Sequence, residues 1–132
     1  MDGYQGALGT AIISDASATI NLLLTVDRDN TTAKALVLKK AGAGARVVAV
    51  LKAATSAANT VAPVVFIGHI ALVEVDGNAG AITENDLLMA NANAQGVVVA
   101  NDKDLAFGTA LQPSAAAGDQ IWVMLGNQPH QA

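Results

Sequence analysis

There is no cysteine among the 132 residues, and the aromatic side chains are limited to Tyr4, Phe66, Phe107 and Trp122. The first absence excludes disulfide staples and thiolate chemistry, and with them any benefit from an oxidising compartment. The second thins the core. Hydrophobic residues make up 52% of the chain, yet 28 of them are alanines, and alanine contributes far less than the roughly 1.5–3 kcal/mol of a large buried apolar side chain. Small cores are commonly supplemented by disulfides, metals or association. Here the first is impossible and the second lacks ligands, so the composition predicts an oligomer.

Catalytic residue types are equally sparse. His69 and His130 are the only histidines, and neither has a second histidine or a thiolate at metal-ligand spacing. Glu84 and Asp86 come nearest to a carboxylate pair, but one residue apart in a turn they suit the start of a structured segment better than acid–base work. Gly42-Ala43-Gly44 lacks the Gly-Lys-Ser/Thr ending of a phosphate loop. Asp27-Arg28-Asp29-Asn30 lacks the glycine and distal glutamate of a calcium loop and reads as a plain turn. The sequence therefore predicts no catalytic residue, no metal and no cofactor, and a protein that binds rather than catalyses.

Long apolar runs are also missing. The longest, Val64 to Val75, is interrupted by Gly68, His69 and Glu74 and is too short to span a bilayer as a helix. No membrane partner is expected. Met1 to Gly6 has no basic-then-apolar signal pattern, which makes assembly in a cytoplasm the simpler expectation. The net charge of −4 and the scattered aromatics give no general attraction for nucleic acid.

Charge is nevertheless unevenly placed. No Asp or Glu occurs between Asn30 and Val73, a segment that holds Lys34, Lys39, Lys40, Arg46 and Lys52. The rest of the chain is strongly acidic. Either acidic parts fold back onto this segment or it faces an anionic partner.

The hydrophobic pattern is that of strands. Residues 2 to 18 are small and turn-rich, with no amphipathic period, and read as an extended arm carrying Tyr4. Thr19 to Val26 alternates, with Ile20, Leu22, Leu24 and Val26 on one face. Lys34–Lys40 and Arg46–Lys52 flank Ala41-Gly42-Ala43-Gly44-Ala45 and read as a hairpin folded about Ala43. That register sets Leu36 and Leu38 against Val50 and Val48, and also Lys40 against Arg46 and Lys34 against Lys52. A helix through Arg46 to Ala58 is the competing reading; the β-branched residues favour the strand. Ala53 to Ala62 reads as a surface loop. Val64 to Val75 reads as one long strand, bulged at Gly68, with His69 on a covered face. After a turn at Asp76-Gly77-Asn78, short strands are expected at Leu87–Ala90, Gly96–Ala100, Phe107–Leu111 and Gln120–Leu125. The fold class expected is all-β: a small antiparallel sandwich or barrel, residues 19–132, preceded by an arm, residues 1–18.

The last third carries a resemblance. Ala81-Ile82-Thr83-Glu84-Asn85-Asp86-Leu87-Leu88, then Gln95-Gly96-Val97-Val98-Val99-Ala100, Phe107-Gly108-Thr109-Ala110-Leu111 and Ala115-Ala116-Ala117-Gly118-Asp119-Gln120-Ile121-Trp122-Val123 follow an order and spacing similar to those of the small capsid cement (head decoration) proteins of tailed bacteriophages. The match covers residues 81 to 125. It implies a compact β domain, a homotrimer, that binds the major capsid protein on the capsid exterior and transfers no catalytic residue. On that reading Lys34, Lys39, Lys40, Arg46, Lys52 and Tyr4 are the candidate capsid-binding residues. Another virion module, such as a tail or host-receptor-binding β domain, is the alternative, and a small hydrolase or isomerase on a β barrel is the least supported.

Overall fold

In the computed structural model, which describes residues 9–28, 36–99 and 105–129, and side chains as far as Gly126, ten strands and no helix are present among the described residues. They form two closed five-stranded barrels. The N-terminal barrel comprises β1 (Gly9–Ile13), β2 (Leu23–Val26), β3 (Val37–Lys40), β4 (Ala49–Leu51) and β5 (Thr60–Phe66), in the order β1-β3-β2-β4-β5. The C-terminal barrel comprises β6 (Ile70–Asp76), β7 (Leu87–Ala90), β8 (Gly96–Val98), β9 (Leu105–Ala110) and β10 (Ala117–Pro129), in the order β10-β6-β8-β7-β9. The all-β barrel class expected from the alternating pattern is what forms. Pairing is antiparallel except between β1 and β3 and between β6 and β8.

Alternation explains which side chains fill each barrel. Ala11, Ile13, Leu24, Leu38, Ala49, Leu51, Ala62 and Val64 close the N-terminal one. The larger cluster combines Ala71, Val73, Val75, Leu88, Phe107, Ile121, Val123 and Leu125 of the C-terminal barrel with Leu23, Val47, Val50 and Val65 from the other. Leu23, Val50 and Val65 neighbour the N-barrel core residues Leu24, Ala49, Leu51 and Val64 in sequence, and the period of two sends them outward, into the joint. The two barrels thus share a buried seam.

Several expected elements are displaced. Within the expected arm, residues 1–18, Gly9–Ile13 is instead a barrel strand that pairs with β5 from Gly9↔Val64 to Ile13↔Thr60 and lies parallel to β3, while residues 1–8 lie outside the described residues. Small residues fit there because Ala11 and Ile13 alone point inward, and both are buried. The strand at Thr19–Val26 begins only at Leu23. Asn21 takes a left-handed conformation (φ 71°) that ends the alternation, leaving Ile20 45% exposed while Leu22, Leu23 and Leu24 are all buried.

The hairpin about Ala43 does not form. β2 lies between β3 and β4, with Leu24 opposite Lys40 on one side and opposite Ala49 on the other. Lys40 therefore does not face Arg46, and the like-charge conflict of the expected register disappears. Val64 to Val75 is two strands in different barrels. Gly68, at φ 110°, turns the chain from β5 to β6, a conformation in which any β-carbon is strained. His69 belongs to that turn and is exposed, not on a covered face. By contrast, Asp76 turns the chain as its position suggests, its Oδ1 accepting the amides of Asn78 (3.1 Å) and Ala79 (3.3 Å).

Candidate functional site

The candidate residues separate into three groups once the barrels are assembled. Tyr4 and Lys34 lie outside the described residues. Lys39, Lys40 and Arg46 remain on the surface. Lys52 belongs to the joint between the barrels.

Lys52 follows β4 and is half-buried. Its ammonium donates to Asn21 Oδ1 (2.7 Å) and to the Leu72 carbonyl of β6 (2.9 Å). Asn21 is itself 3% exposed; its amide donates to Leu51 O (2.7 Å) and its carbonyl accepts the Glu74 amide (2.9 Å). Beside it, the Leu23 amide donates to Ala94 O (2.9 Å). β6 and β8 pair only at Val75↔Gly96, so the C-terminal barrel is weakly closed on that side. Residues 21–23 and the Lys52 ammonium occupy that weak side and satisfy its polar groups, as buried backbone requires. Lys52 therefore bridges the barrels.

Lys39 and Lys40 end β3, and Arg46 sits in the loop that follows. Lys40 and Arg46 are exposed and Lys39 is partly so. The backbone fixes their positions: the Lys40 amide donates to Asp15 Oδ2 (2.6 Å), the Ala41 amide to Leu23 O (2.9 Å), and the Gly44 amide to Ala90 O at the end of β7 (2.9 Å). Ala41 and Val47 are buried in the shared core, which pins both ends of the loop that displays Arg46. Among the described residues the charged groups of Lys39, Lys40 and Arg46 have no hydrogen-bond or ion-pair partner. Of the acidic residues described, Asp15 folds back beside them, and its carboxylate is taken up by the Lys40 backbone amide rather than by a charged side chain.

The carboxylates collect elsewhere. Asp76 at the end of β6, Glu84 and Asp86 in the segment before β7, and Asp119 near the start of β10 lie at one end of the C-terminal barrel, where β6 and β9 finish and β10 and β7 begin. Asp86 Oδ2 accepts the Thr83 amide (2.8 Å) and hydroxyl (3.1 Å), which gives the Glu84–Asp86 segment the structural role its spacing suggested. Ser114 donates its hydroxyl to Asp119 Oδ2 (2.8 Å), and an isolated bridge between Ile82 and Ser114 ties the turns together. Sequence reasoning missed this group, because its members run from Asp76 to Asp119 along the chain and only the barrel gathers them.

Among the described residues no group of three or more His, Asp or Glu is placed to hold a metal ion, and no helix is long and apolar enough to cross a membrane. Fold and surface together define a two-barrel β module whose candidate features are exposed charge clusters.

That fold is similar to a solved one. The crystal structure of the N base of the head fibre protein gp8.5 of bacteriophage phi29 matches 94% of this chain and 98% of its own, with a TM-score of 0.68 and 14% sequence identity. At that identity the likeness is one of fold, and it spans both barrels. No protein-family model matches the sequence, and no curated protein does either.

Proposed function

We propose that this chain is a structural protein of a phage virion, held on the outside of the head as a cement or decoration protein, with the major capsid protein and copies of itself, as a homotrimer, for partners. The observation that carries the reading is the end-to-end fold likeness to the base of a phage head fibre. The cement-like order of segments between residues 81 and 125 supports it independently. In this role the protein acts thermodynamically, since a component that binds the assembled shell better than its separated parts stabilises the shell by mass action. The module needs no catalytic group, and binding rather than turnover is its work.

A second reading follows from the same likeness: the module forms the foot of a projecting fibre on the head. Electron microscopy of particles with and without the chain decides between these. Density repeated over the whole shell supports the cement role, and density running on into a projection supports the fibre foot. Density confined to the tail, or no density lost with the chain, overturns both.

A further inference from the structure

We infer that the acidic end of the C-terminal barrel of one copy docks on the Lys39, Lys40 and Arg46 surface of the next, so that copies associate head to tail; this rests on the self-association part of the reading above and adds the contact that makes it.

The charge of the described residues is divided by barrel. The N-terminal barrel and its loops carry Arg28, Lys39, Lys40, Arg46 and Lys52 against Asp15 and Asp27. The C-terminal barrel carries Glu74, Asp76, Glu84, Asp86 and Asp119 and no lysine or arginine among the described residues. Glu74 is engaged by Gln95 Nε2 (2.7 Å) on the flank next to the N-terminal barrel. The other four stand at the far end. The opposite end of the C-terminal barrel is the one that meets its neighbour, through Gly44 to Ala90 and Gly68 to Leu125. The hydrogen bonds of the acidic end stay within it: Gly77 to Ala116, Ile82 to Ser114 and Asn85 to Ala110.

Within one copy the two clusters therefore point to different places and do not neutralise each other. Two copies placed head to tail bring them together. Among the described residues Asp15 is a carboxylate beside the basic surface, and it already has the Lys40 amide as a backbone partner. A contact between two different surfaces of the same chain is heterologous, and it closes into a ring when the rotation between copies allows. Complementary charge of this kind sets register and speeds association, and it weakens as salt screens it.

The test uses the full chain in sedimentation velocity at micromolar concentration, at low and high salt. The wild type should associate at low salt and lose affinity at least tenfold on the order of 1 M salt, where the Debye length falls to ~3 Å. Lys40→Glu with Arg46→Glu, and separately Glu84→Lys with Asp119→Lys, should each give monomers with an unchanged β spectrum. The chain carrying all four reversals should associate again, because the contact is restored with its signs exchanged. A wild type that is monomeric at low salt overturns the proposal, as do reversal pairs that stay associated or a fourfold variant that stays monomeric. Binding to purified shells is scored in parallel. Associated Lys40→Glu/Arg46→Glu copies that no longer hold to shells would assign the basic surface to the capsid instead. A wild type that associates but does not bind shells leaves this contact standing and removes the capsid role.

Discussion

The Lys52 ammonium lies 2.7 Å from Asn21 Oδ1 and 2.9 Å from the carbonyl of Leu72, and so ties the start of β2 and the end of β4 in one barrel to β6 in the other. Asn21 is 3% exposed with the lysine in place, and its side-chain oxygen takes its hydrogen bond from that ammonium. Leaving such an acceptor unsatisfied costs about 1–3 kcal/mol. Lys52→Met keeps the aliphatic stem and removes the donor. We expect it to destabilise the chain by that amount in denaturant unfolding, with little change in the slope. A variant as stable as the wild type would show that water replaces the ammonium.

Ile13 tests whether Gly9–Ile13 is part of the fold or of an appendage. It is fully buried, on a strand hydrogen-bonded on both sides. Truncating a buried isoleucine to alanine typically costs about 2–5 kcal/mol. The N-terminal barrel has a small core, so Ile13→Ala should lie well inside that range by thermal or denaturant melting. An effect below about 0.5 kcal/mol, the range of surface changes, would place the segment outside the cooperative unit.

The elements read correctly from sequence share one property: their signals are local. Leu87–Ala90 has the expected bounds because turn residues stand on both sides of a short apolar run. Asp76 marks its turn because its own carboxylate makes the turn's hydrogen bonds. The failures are non-local. The hairpin about Ala43 is a reasonable folding of β3 and β4, and nothing in either strand reveals that β2 separates them. Gly68 signals a break, but a bulge within one sheet and a passage between two barrels demand the same residue. Lys52 has the composition of a surface cation, and only the weak pairing of β6 with β8 shows why an ammonium is held inside. The basic surface was legible as a run without carboxylates, whereas the acidic end required the fold.

Gly68 supplies a test of the backbone. At φ 110° it lies where residues with a β-carbon are strained, although there is open space around it. Gly68→Ala should therefore destabilise through the backbone alone, by on the order of 1–3 kcal/mol. Gly68→Asn should be no worse than alanine, since asparagine tolerates positive φ better. If both variants melt with the wild type, the turn between the barrels has room to take another conformation.

Gly77 presents the opposite situation, with no positive φ but no room. A β-carbon there would lie 2.6 Å from both the carbonyl oxygen and the hydroxyl of Ser114, a residue buried under the acidic turns. Backbone cannot retreat as a flexible side chain can, and Ser114 is held by its bridge to Ile82 and its bond to Asp119. Gly77→Ala should thus cost about 1–3 kcal/mol, the usual range for overpacking. Gly80, three residues on in the same turn, has nothing within 4 Å of a β-carbon and no positive φ. Gly80→Ala is the matched control: it should be neutral, or stabilise by about 0.4–1 kcal/mol by restricting the unfolded chain. Denaturant melts of the two variants side by side check the packing of this end, and equal melts would mean that the turn does not approach Ser114 as closely as described.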